Sequence, residues 1–87
     1  MDKVVRKLIE YRVEKHPEAK EEIALAIFNL IKERLNGGKI AKVTLRVGVI
    51  FASSVKFKAP HTIIFIRDIR TEVDIDDIRV VEFYADY

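Results

Sequence analysis

The chain has 87 residues, 49% of them hydrophobic and 34% charged, with a formal net charge of +2. That length suits one domain (1–87) built as layers around a single core, and the apolar content excludes disorder. Cysteine is absent, which excludes disulfides and thiolate metal sites, and no apolar run approaches the roughly 20 residues of a membrane span.

The small net charge hides a strong asymmetry. Residues 1–33 carry seven bases and seven acids, residues 34–67 seven bases and no acid, and residues 68–87 two bases and seven acids. Such a distribution makes either a phosphate-binding face or strands that neutralise one another within a sheet. Glutamine is missing, and asparagine occurs only at Asn29 and Asn36. This depletion of thermolabile amides points to a thermophilic source. The first residues lack the apolar core of a signal peptide, so a cytoplasmic location is expected.

In chain order, Val4, Val5, Leu8, Ile9, Tyr11 and Val13 fall within half of a helical wheel. This predicts a helix over about 2–16, with Asp2 as N-cap and Arg6–Glu10 as an i,i+4 pair. Ile9, Tyr11 and Val13 also alternate with charged residues, as a short strand would, but Val4, Val5 and Leu8 break that alternation. His16-Pro17 ends the element, and Pro17 opens a second helix over about 17–35. Its apolar face holds Ile23, Ile27, Leu30 and Ile31, and Asn36-Gly37-Gly38 stops it.

After the glycines the period becomes two. Ala41, Val43, Leu45, Val47, Val49, Phe51, Val55, Phe57 and Ala59 alternate with mostly polar residues. The stretch is too long for one strand, so a hairpin turning at Ala52-Ser53-Ser54 is predicted. Beyond Pro60, residues 62–70 read as a strand. Its run Ile63-Ile64-Phe65-Ile66 suggests burial on both faces or a subunit contact. Asp74 to Asp77 form an acidic turn, and residues 78–84 a last strand. The expected fold is α+β: two N-terminal helices on one face of a three- to four-stranded, mainly antiparallel sheet.

Little in this chain suggests catalysis. His16 and His61 flank turns without ligand spacing, and the acidic turn puts Arg79 and Ala85 where a calcium loop needs glycine and glutamate. Ser53 and Ser54 have no evident base. No catalytic residue, metal or cofactor is expected. Lys42, Arg46, Lys56 and Lys58 all fall on even positions, so a regular hairpin projects them from one face as a basic stripe. Such a stripe can hold RNA or DNA phosphates, although Phe51 and Phe57 lie on the other face and leave no stacking platform. The alternative is a solvated face, partly neutralised by the acidic C-terminal strand.

Tyr11 to Ala19 and Leu45-Arg46-Val47-Gly48 resemble phrases of RelE/ParE-type toxins. That likeness implies a starting strand at Ile9–Val13, RNA phosphate contacts at Arg46 and Lys56, and assistance from Tyr84 or Tyr87. Lys42 to Gly48 after a helix is also similar to the start of the nickel chaperone of hydrogenase maturation, but that family's Met-His-Glu and zinc cysteines are absent. The expectation drawn from the residues themselves is a non-enzymatic protein–protein association domain, paired with a second copy as a homodimer. Ile64, Ile66, Phe83, Tyr84 and Tyr87 are its candidate interface, and nucleic-acid binding through the basic stripe is the alternative.

Overall fold

The computed structural model describes residues 2–85. Two helices, α1 (Lys3–Val13) and α2 (Pro17–Asn36), precede six strands. The strands are β1 (Lys39–Leu45), β2 (Gly48–Ala52), β3 (Ser54–Lys58), β4 (Thr62–Ile66), β5 (Arg70–Asp74) and β6 (Ile78–Ala85), with a 3-10 turn at Ile75–Asp77. The class is α+β with the helices N-terminal, as expected. The strands form two three-stranded antiparallel sheets, ordered β2-β1-β6 and β3-β4-β5.

The first segment is a helix and not a strand. Asp2 Oδ1 accepts the Val4 N–H at 2.8 Å and caps α1. Val4, Leu8 and Tyr11 are buried at helical spacing, while Ile9 and Val13, which alternate with Tyr11 in sequence, are exposed. The strand that the RelE/ParE likeness requires is therefore not formed. The ion pair on α1 is Lys7–Glu10 at 3.3 Å. Pro17 occupies the first turn of α2, and Gly38, at φ 84°, lets the chain leave its C-terminus for β1.

The predicted hairpin at Ala52–Ser54 is absent. β2 turns back on β1 through Arg46-Val47, with Leu45 opposite Gly48 and Ala41 opposite Ala52. Gly48 has φ 120°, a conformation that other residues rarely adopt, and this allows the tight reversal. Ser53 marks a bend instead. Its N–H donates to the Ile66 carbonyl at 2.9 Å, so β2 and β3 form one bent strand with β1 on one edge and β4 on the other.

Both helices cover the inner faces. α2 packs on β1 and β3, and α1 on β6. Ala41, Val43, Ala52, Val55, Ile63, Phe65, Val73, Ile75, Ile78 and Val81 meet Ala24, Ile27, Phe28 and Ile31 in one core. Burial of these apolar side chains, about 25 cal/mol per Å2, is the main source of stability.

Candidate association surface

Cross-strand neighbours share a face, so register determines what each sheet presents to solvent. On the outer face of β2-β1-β6, Phe51, Lys42 and Glu82 form one row and Val49, Thr44 and Val80 the next, with Ile40 beside Tyr84. Val49, Phe51, Val80 and Tyr84 are 47%, 50%, 39% and 48% exposed. Four large apolar side chains thus flank one Lys–Glu pair. Tyr84 Oη donates to Glu82 Oε2 at 3.3 Å, which ties the ring to this face.

Of the candidate interface residues among those described, Tyr84 is the one that is exposed, at about half of its surface. Ile64 is 4% exposed on the outer face of the central strand β4, between Lys56 and Glu72. Ile66 is half-buried. Phe83 points inward against the core, with the Arg34 guanidinium 5.1 Å from its ring centre. Tyr87 lies outside the described residues.

The basic stripe does not occupy one face. Lys42 sits mid-sheet in β1, Arg46 in the first turn, and Lys56 and Lys58 on β3 of the other sheet. Lys42 stands opposite Glu82. Arg46 Nη1 is 3.8 Å from Asp77 Oδ1, and its backbone N–H donates to the Asp77 carbonyl at 3.0 Å. Lys58 Nζ is 3.1 Å from Glu72 Oε1, and this hydrogen bond and charge hold the Glu72 carboxyl below its ordinary range. Lys56 has no ion pair among the described residues, and its cross-strand neighbour is Ile64.

Three surface clefts stand out among the described residues. One of about 490 Å3 runs between Leu45, Arg46 and Val47 at the hairpin tip and Thr71, Glu72 and Val73 on β5. A second, of about 300 Å3, lies between Val49, Ile50 and Phe51 on β2 and the turn Arg67-Asp68-Ile69. Thr71 lines both.

The third cleft, about 260 Å3, is bordered by Tyr11, Lys20, Glu21, His61 and Asp76. His61 Nδ1 is 2.9 Å from Asp74 Oδ2, an attractive contact when the imidazole is protonated. Burial, with Asp76 and Asp74 nearby, pushes the Tyr11 phenol up to about 12. Among the described residues, no three His, Asp or Glu side chains converge to hold a metal ion.

The outer apolar face is not evident from the alternation alone, which groups Val49 and Phe51 with the inward Ala41 and Val43. Gly48 was the missed signal: a glycine within an alternating run marks a turn or bulge. Comparison with protein-family models, with characterised proteins and with solved structures finds no match to this chain.

Proposed function

We propose that this protein is a non-enzymatic association domain that pairs with a second copy of itself through the β2-β1-β6 sheet. The observation that carries this is the outer face, where Val49, Phe51, Val80 and Tyr84 stand exposed around Lys42 and Glu82. A cluster of partly exposed large apolar side chains is what a binding face looks like. A second copy fits this sheet in particular, because its end strand β2, Gly-Val-Ile-Phe-Ala, carries no charge to keep another strand away.

Sedimentation velocity from about 1 µM to about 1 mM tests this. A concentration-dependent monomer–dimer shift is expected, and a monomer throughout would overturn the proposal. A phosphate-contacting surface is less well supported, since Arg46 and Lys58 already face carboxylates within 4 Å. The amide-poor composition supports a thermophilic source; a Tm far below about 90 °C would count against it.

A further inference from the structure

We infer that the two copies meet edge to edge: β2 of one chain pairs antiparallel with β2 of the other, about a two-fold at Ile50, giving one six-stranded sheet. This rests on the homodimeric reading above and adds where and in which register the copies join.

Backbone direction comes first. Leu45 and Gly48 flank a two-residue loop, so they are the hydrogen-bonded pair of that hairpin. It follows that Gly48, Ile50 and Ala52 direct their N–H and C=O groups toward β1. Val49, Phe51 and Ser53 direct theirs the other way. Ser53 agrees, since its N–H reaches the Ile66 carbonyl on β4. Along Val49 and Phe51 that edge has no strand beside it, only the cleft of about 300 Å3. Two residues' worth of donors and acceptors are therefore free to take a strand.

Composition singles out this edge. An open edge is ordinarily protected by charge or proline. Among the strands that end each sheet, β3 carries Lys56 and Lys58, β5 carries Arg70, Glu72 and Asp74, and β6 carries Arg79 and Glu82. β2, reading Gly-Val-Ile-Phe-Ala, has no charge at all.

The edge is also complementary to itself. With the two-fold at Ile50, the outward-bonding residues coincide, Val49 of each chain facing the partner's Phe51. This makes two aromatic–β-branched pairs from side chains that are half exposed in the single chain. Beyond Phe51 the edge is taken by β4, since the Ser53 N–H already donates to the Ile66 carbonyl, so the pairing is confined to Val49, Ile50 and Phe51 of each chain. No two like charges oppose each other along the paired strands.

The chain has no cysteine, so crosslinking is clean. A residue paired with itself at a non-hydrogen-bonded site has Cα atoms about 4.5 Å apart, within disulfide reach. Ile50→Cys should therefore form a disulfide dimer under mild oxidation, while Tyr84→Cys, at the far strand, should not. Because Ile50 also touches the core, a second set avoids it. Val49→Lys and Phe51→Glu singly should weaken the dimer about tenfold or more, and the double variant should recover it by placing each lysine opposite the partner's glutamate. A wild-type monomer at every concentration would overturn dimerisation itself. A dimer that neither crosslinks at position 50 nor responds to the charge variants, but is weakened by Tyr84→Ser, would overturn the edge pairing and leave face-to-face stacking.

Discussion

Lys58 and Glu72 close an ion pair of 3.1 Å across the full width of the β3-β4-β5 sheet, from one outer strand to the other. Between them runs β4, and Ile64 lies on the face they span, directly opposite Glu72 on one side and Lys56 on the other. The burial of Ile64 is thus achieved within the chain, by long side chains whose aliphatic stems cover it while their charged ends stay in water. Ile64→Ala should destabilise the fold by about 2–5 kcal/mol, seen in denaturant unfolding, with the monomer–dimer constant of the folded protein unchanged. A lowered dimer constant at full stability would return Ile64 to the interface. Glu72→Gln, which removes an exposed pair, should lower Tm only slightly. Its carboxyl is depressed in the fold, so the pair's contribution is present above the ordinary carboxylate range and fades as pH falls through it.

The placement of acids beside bases also governs nucleic-acid binding. Arg46 faces Asp77, Lys58 faces Glu72 and Lys42 stands opposite Glu82. Within the stripe, Lys56 is then the one cation of the four without a carboxylate beside it among the described residues, which weakens the stripe as a phosphate-contacting surface. Fluorescence anisotropy with labelled single-stranded RNA and duplex DNA should show no saturable binding at low salt. Tight binding that weakens steeply with salt, and is reduced by Lys56→Glu, would make phosphate contact the leading function instead.

The helices were legible because local chemistry and core packing agree in them. Pro17 opens α2, its apolar stripe keeps the helical period, and Gly37-Gly38 ends it. The sheets were harder to read because alternation continues smoothly through a place where the chain changes face. In β1 the inward residues are odd, Ala41 and Val43. After the two-residue turn they become even, Ile50 and Ala52. They become odd again in β3, with Val55 and Phe57, after the bend at Ser53. Val47, Val49 and Phe51 kept the odd pattern apolar while pointing to solvent, which is a property of the surface and not of the core. Ile50 and Ala52, which fall among the mostly polar positions of that alternation, are the core-facing residues. The basic stripe disperses for a different reason: Lys42 in β1 and Lys56 and Lys58 in β3 keep the outward parity but belong to different sheets, and Arg46 lies in a turn.

Gly48 carries that change of face, and its substitution isolates the cost. A β-carbon there would meet nothing within 4 Å, so sterics with neighbours are not the issue. The φ of 120° is, because a side chain strains the backbone in that region by about 1–3 kcal/mol. Gly48→Ala should destabilise by that amount in denaturant unfolding, and an unchanged stability would remove the conformational explanation of the turn.

Tyr11 gives the clearest pH dependence. Its phenol is buried between α1 and the Asp74–Asp76 region, and ionising it would place an anion near two carboxylates. The group is raised from about 10 to about 12, so the protein favours the neutral form that is dominant below pH 10. The sign follows from linkage: this stabilisation is fully present below the unfolded value near 10 and is lost as pH rises toward 12. Ultraviolet titration should show a tyrosine ionising near pH 12, and Tyr11→Phe should remove that step. The variant should also lose less stability than the wild type between pH 10 and 12, because it has no phenol to ionise on unfolding. If Tyr11→Phe and wild type fall in parallel over that interval, the phenol is not the group that couples alkaline pH to the fold.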